Sequence, residues 1–247
     1  MKPSNPSKLR EKTQLVLYST PPHDCAYFKD RQATTVFVDP FFQDNSTIYT
    51  YLTQQGFRRS GQFLYRPQCQ QCKQCISVRI PVHAFKQRRR QRRIWQKNQD
   101  LVVQAITSHF KQEHFELYQR YLQHRHKNGG MDNPTSESYV SFLTCNWAYT
   151  VFYEFRLQGK LLAVAVVDFL DDSLSAVYTF FDPDYAKRSL GTYAILWEIA
   201  ESQRLGLKWL YLGYWIKNCR KMSYKTDYYP LEYYFKNQWR MKDVDDS

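Results

Sequence analysis

Three thiols at three-residue intervals, Cys69-x-x-Cys72-x-x-Cys75, stand between two groups of cations. Arg58, Arg59 and Arg66 precede them, and Arg79, Lys86, Arg88, Arg89, Arg90, Arg92 and Arg93 follow. Clustered cysteines make a disulfide framework, a metal or cluster site, or a redox pair. Clustered arginines point to phosphate. No acid lies between Asp44 and Asp100, so the six cations in the eight residues from Lys86 to Arg93 have no local partner. An RNA backbone is the polyanion they suit, and a solvated helix face is the alternative. A membrane-surface helix fits less well, because apolar residues are sparse there.

The whole chain carries the same bias. Its 247 residues have a net charge of +12, enough to favour a polyanionic partner, and enough length for one large domain or two modest ones. No apolar run approaches the roughly 18 residues of a spanning helix. The polar residues 1–11 lead into an apolar stretch too short for a signal peptide. A cytoplasmic protein with reduced thiols is expected, which weakens the disulfide reading. The 20 tyrosines and 6 tryptophans are dispersed, as core filling requires, although some could stack on unpaired bases.

The elements that must position these residues follow from periodicity and breakers. Residues 1–14 read as a disordered leader. A short helix over 46–55 ends at Gly56, and strand pieces at 62–65 and 77–80 flank the cysteine loop. Residues 82–97 read as one arginine-covered helix. From residue 101 the pattern changes: a strand over 101–106, a helix over 109–126 stopped by Gly129-Gly130, and a helix starting at Thr135 or Ser136. Three strands follow, over 148–157, 161–169 and 174–181, joined by turns at Gln158-Gly159-Lys160 and Asp171-Asp172-Ser173. A helix over 191–204, a strand over 208–212 and a helix over 217–224 complete the order. The fold class is therefore α+β, with residues 15–100 and 101–247 as two domains. Cys145 and Cys219 fall in expected helices and are read as structural.

Two-helix, three-strand, helix, strand, helix is an order similar to the Gcn5-related N-acetyltransferase fold. That likeness implies a donor-phosphate site at the loop Lys187-Arg188-Ser189-Leu190-Gly191-Thr192, where free helix N–H groups face the ligand. Longer blocks narrow the match. Cys25, Gly56-Phe-Arg58-Arg59-Ser60-Gly61, Tyr65-Arg66-Pro67 and the cysteine triplet resemble the N-terminal domain of the aminoacyl-tRNA–protein transferases. Arg188-Ser-Leu-Gly191-Thr192 and Gly213-Tyr214-Trp215-Ile-Lys217, continuing to Lys225, resemble their C-terminal domain. The resemblance covers about residues 15–235, and the short chain resembles the bacterial branch.

That resemblance implies transfer of leucine from leucyl-tRNA to proteins with N-terminal Asp or Glu, marking them for degradation by the N-end rule. Three alternatives stay open: arginine as the transferred residue, an acetyl-coenzyme A dependent N-acetyltransferase, and a non-catalytic RNA-binding protein. It implies tRNA contacts for Arg88, Arg89, Arg90, Arg92, Arg93, Arg188, Gly191, Thr192, Tyr214, Trp215, Lys217 and Lys225. Arg58, Arg59, Arg66 and Arg79 are the pool for reading the acceptor's carboxylate, which Arg can bind bidentately. The amine would lose its proton to Asp168 or through Tyr178. No cofactor is required for the transfer, since an activated ester and an amine need mainly alignment. An iron–sulfur cluster on Cys25, Cys69, Cys72 and Cys75 is what the resemblance to the eukaryotic branch implies, and zinc would accept the same four thiolates; buried or redox-sensitive thiols are the other reading. No membrane partner is expected.

Overall fold

The computed structural model describes residues 15–40, 46–125 and 134–241. The expected leader and the Gly129-Gly130 helix stop lie outside them. The described residues begin with β1 (Leu17–Ser19), β2 (His23–Asp24), β3 (Gln32–Ala33) and β4 (Thr35–Val38). Then come α1 (Ser46–Gln54), β5 (Arg58–Ser60), β6 (Phe63–Pro67) and β7 (Ile76–Pro81). The expected helix over 82–97 is interrupted. A 3-10 turn, Val82–Ala84, is followed by extended backbone at Phe85 and Arg88, and the helix proper is α2 (Arg89–Lys97). Burial explains the break. Val82 and Phe85 turn into the core, whereas the arginines of α2 remain in solvent.

The remaining elements are β8 (Val102–Thr107), α3 (Gln112–Arg125), α4 (Ser136–Leu143), β9 (Tyr149–Leu157), β10 (Lys160–Phe169) and β11 (Ser173–Phe181). They are followed by α5 (Leu190–Arg204), β12 (Trp209–Trp215), β13 (Glu232–Phe235) and β14 (Gln238–Met241). The Thr135 side chain caps α4 by accepting from the Ser138 N–H at 3.1 Å. The helix expected over 217–224 is instead a 3-10 segment, Arg220–Asp227, and Cys145 and Cys219 lie outside helices.

The main sheet has eight strands in the order β14-β13-β7-β12-β11-β10-β9-β8. Its neighbours pair antiparallel except β11 and β12, which are parallel. The run Leu161–Val167 in β10 is apolar throughout because the strand is covered on both faces. Leu162, Ala165 and Val167 join a core shared with α5 and with Ile94 of α2. Leu161, Val164 and Val166 join a second core with Phe115, Tyr118 and Tyr121 of α3 and Tyr139 of α4. The smaller sheet, β1-β4-β6-β5, shares a third core with α1, and Leu170 and Tyr211 from the later half of the chain enter it. The boundary expected at residue 100 therefore does not separate the sheets. β7 lies between β12 and β13, with Ile80 paired to Leu210 and Val78 to Tyr233.

Candidate active site

β11 and β12 pair only over Ser173↔Trp209, Leu174↔Leu210 and Ser175↔Tyr211. Both strands continue past that ladder, so their C-terminal halves part. Each carries an irregularity there: the register with β10 shifts after Tyr178 is paired with Val166, and the register with β7 shifts between Tyr211 and Gly213. Carbonyls that would otherwise lack partners point into the gap, and Arg58 satisfies them. Its Nη1 donates to the Leu212 carbonyl at 3.0 Å, and its Nη2 donates to Ala176 at 3.0 Å and Val177 at 2.6 Å. Gly213 has φ +75, and a Cβ there would stand 1.1 Å from Arg58 Nη1. Only glycine allows that close approach at this dihedral. The Gly213-Tyr214-Trp215 segment is thus strand, and its glycine makes room for an arginine that follows α1.

Around this gap lie further polar groups. Lys225 is 5% exposed and donates to the Tyr214 carbonyl. Burial, assisted by Arg58, holds its ammonium well below the usual lysine range. Tyr178 packs against Tyr118, Tyr121 and Phe142, and burial pushes its hydroxyl far up. Tyr224 has its pKa raised by burial, opposed first by Arg58 and more weakly by Arg125. Glu198 of α5 is fully buried, both its oxygens lack a partner among the described residues, and burial pushes its pKa up to about 8. Glu198 and Arg125 went unnoticed in the sequence, because each stands in an ordinary helix pattern with no motif around it, and Tyr224 was read only as part of the block that continues to Lys225.

Several expected site residues are occupied elsewhere. Arg59 and Asp168 pair with each other, with no exposed side-chain surface on either: Nε to Oδ2 is 2.5 Å and Nη2 to Oδ1 is 2.9 Å. Tyr49 and Thr150 donate to the same carboxylate at 2.6 Å each, and Arg59 Nη1 reaches the Gly61 carbonyl at 3.0 Å. Neither is placed to meet a substrate, which corrects both expected roles. Arg79 pairs with Glu232 at 2.6 Å and is held between the rings of Trp209, at 4.0 Å, and Trp239, at 4.3 Å. Arg66 donates to the Gln55 carbonyl at 3.0 Å and lies over Phe57. Arg188 holds Asp100 bidentately at 2.8 Å per bond, tying the end of α2 to the start of α5. Gly191 packs against Phe181. Tyr214 donates to the Gly56 and Tyr65 carbonyls, and Trp215 is buried in the sheet, so both support the gap from behind.

Arg88, Arg89, Arg90, Arg92 and Arg93 are all exposed, and none has an ion pair among the described residues. Gln91 donates to the Asp227 carbonyl at 3.1 Å, which sets α2 against the segment carrying exposed Lys217, Arg220 and Lys221.

Cys25, Cys69, Cys72 and Cys75 line a cavity of about 160 Å³ that Tyr65 and Tyr214 also border. Burial, and after it the neighbouring thiols Cys69, Cys25, Cys72 and Cys219, pushes the Cys75 thiol up to about 12. A metal or cluster needs thiolates converging on one point. Among the described residues no group of three or more Cys, His, Asp or Glu side chains converges in that way. No helix of the described residues is long and apolar enough to cross a membrane.

Comparison with known proteins adds the family. The model described as arginine-tRNA-protein transferase, N terminus, matches residues 23–93, and the one for the C terminus matches residues 113–235. A relative named aspartate/glutamate leucyltransferase from Pseudomonas fluorescens (strain Pf0-1) is 51% identical over 94% of this chain and 98% of its own. One of the same name from Stutzerimonas stutzeri (strain A1501) is 52% identical over 92% of this chain and 96% of its own. Among solved structures, FemX is 9% identical, covering 71% of this chain and 61% of that one, at a TM-score of 0.45, too loose a likeness to argue from. Half of the residues agree, from near one end of the chain to near the other, and the chain belongs to the aspartate/glutamate leucyltransferases of the arginine-tRNA-protein transferase family.

Proposed function

We propose that this protein transfers leucine from leucyl-tRNA to the α-amine of proteins that begin with Asp or Glu. The observation that carries this reading is the identity of half the residues, over 94% of the chain, with relatives named for that activity. The geometry provides a place for it. The order α3, α4, β9 to β11, α5, β12 resembles that of a Gcn5-related acyltransferase core, and on that reading we assign the aminoacyl ester to the gap between β11 and β12. The basic face of α2 and residues 217–221 takes the tRNA backbone, whose phosphates suit unpaired arginines. Such a reaction belongs in the cytoplasm, where aminoacyl-tRNA is made.

In the transfer, the acceptor nitrogen bonds to the leucyl carbonyl carbon, and the bond from that carbon to the ribose oxygen breaks. The amine gives up a proton and the ribose oxygen takes one. With a free pKa near 8, roughly a tenth of the amine is already neutral at pH 7. Positioning alone is worth about 7–11 kcal/mol in such a reaction. Three of the five N–H groups of Arg58 are taken by backbone carbonyls, and the others are available to an ester oxygen as it gains charge. Lys225, whose ammonium is disfavoured by burial and by Arg58, is the group we assign to accept the amine's proton. The decisive experiment offers labelled leucyl-tRNA, arginyl-tRNA or acetyl-coenzyme A with a peptide starting with Asp. Label is expected to enter the peptide from leucyl-tRNA alone. Label from either other donor in its place overturns the reading.

A further inference from the structure

An acceptor that begins with Asp or Glu must be told from one that begins with Asn or Gln, which differ from it mainly in charge. The reader of that carboxylate has to be a cation near the gap that is not already bound to an acid. Arg59 is bound to Asp168, Arg79 to Glu232, Arg188 to Asp100, Arg120 to Asp182 and Arg156 to Glu113 and Glu154. Arg58 spends three of its five N–H groups on backbone carbonyls, which leaves the other two for the ester oxygen.

Arg125, in the last turn of α3, is different. It is exposed and has no ion pair among the described residues. Its guanidinium carbon lies 5.9 Å from the ring centroid of Tyr121, and Tyr121 meets Tyr178 at 6.3 Å. Tyr178 directly follows Val177, whose carbonyl Arg58 grips. Arg125 and Arg58 thus stand at the two ends of a run of contacts through Tyr121, Tyr178 and the Val177 carbonyl. We infer that Arg125 binds the side-chain carboxylate of the acceptor's first residue, with the tyrosines Tyr121, Tyr178 and Tyr224 forming the wall beside it.

The chemistry fits both acceptors. The carboxylate of Asp or Glu sits one or two methylenes from the carbon bearing the reacting amine. A long side chain at a helix end can follow either length and bind the carboxylate with two N–H groups. The inference rests on the leucyl-transfer reading above. A purely helical role, in which Arg125 meets the last carbonyls of α3, would affect all acceptors alike.

Initial rates of leucine transfer to peptides beginning with Asp, Glu, Asn and Gln test it, with the intact protein and with Arg125→Gln and Arg125→Lys. Thermal melts confirm that the variants fold. With the intact protein, Asp and Glu should outrun Asn and Gln. In Arg125→Gln the KM for the Asp peptide should rise about 10- to 100-fold, the worth of a hydrogen bond to a charged group. The Asn peptide should be unchanged, and Arg125→Lys should recover part of the preference. An unchanged Asp-to-Asn ratio in Arg125→Gln overturns the inference while leaving the transfer reading intact. A raised KM for leucyl-tRNA in place of the peptide also overturns it, by assigning Arg125 to the donor. Absence of leucine transfer by the intact protein would instead fail the reading beneath it.

Discussion

Arg59 and Asp168 show how a charged residue beside a site can be wholly structural. Their pair is sealed from solvent and its remaining valences are met by Tyr49, Thr150 and the Gly61 carbonyl. Removing one partner leaves a buried charge uncompensated, which costs about 3–5 kcal/mol. Arg59→Gln and Asp168→Asn should each lower the urea midpoint accordingly, while the folded fraction keeps its Asp-to-Asn preference. A variant with normal stability and lost preference would return Arg59 to the acceptor site. Glu198 gives a pH signature of the opposite sense to an ordinary carboxylate. Its folded pKa of about 8 lies above the ordinary 4.5. Below pH 4.5 both states hold the proton; as pH rises, the unfolded chain releases it first, and stability falls until about pH 8. Glu198→Gln should abolish that decline and be the more stable protein at pH 8 by an amount on the order of a few kcal/mol. Chemical unfolding at pH 5 and pH 8 measures both slopes.

Among elements, α2 carries the clearest division of labour. Gln91 and Ile94 are buried and seat the helix, and Trp95 meets Tyr193 of α5 at 5.5 Å. The arginines cover the solvent side without an acid to neutralise them. Replacing Arg89, Arg90 and Arg93 together with Gln should leave the melting temperature near that of the parent and weaken tRNA binding. The slope of log affinity against log salt should become shallower by about 2, close to 0.7–0.9 per lost phosphate contact. Unchanged affinity and slope in a filter-binding titration would remove α2 from the RNA face. The same helix shows why the sequence alone ran it from residue 82 to 97: the cations hide the apolar signal of Val82 and Phe85, which belong to the turn before it.

At the scale of the molecule, the two matched family segments share one fold. β7 supplies the strand against which β12 and β13 both pair, and Arg58 from β5 closes the gap between β11 and β12. A chain starting at residue 101 would expose the edge of β12 and leave the Leu212, Ala176 and Val177 carbonyls without Arg58. Open edges and unpaired buried carbonyls favour aggregation. The 101–247 fragment expressed alone should be insoluble or lack a cooperative melt, and co-expression with 1–100 should restore it. A stable, monomeric 101–247 fragment would show that the later segment folds without β7.

Local pattern determined much of what lies between residues 149 and 204. Continuous apolar strands with Gly and Asp turns between them, and a helix after a polar loop, leave few other conformations, so β9, β10, β11 and α5 were legible from the chain itself. α1 and α4 were legible for the same reason, the latter from Thr135 at its start. The basic, acid-free stretch from Lys86 to Arg93 likewise announced an exposed cationic face. Which charges meet was not legible. Arg59 lies 109 residues from Asp168, and Arg79 lies 153 from Glu232. Periodicity reports which face of an element is buried and carries no record of what is buried against it. Only the tertiary structure decided that Arg59 and Arg79 are bound to acids, that Gly213 makes room for Arg58, and that Arg125 stands exposed beside Tyr121. Ion pairing is set by distance in space, and the fold alone brings these side chains together.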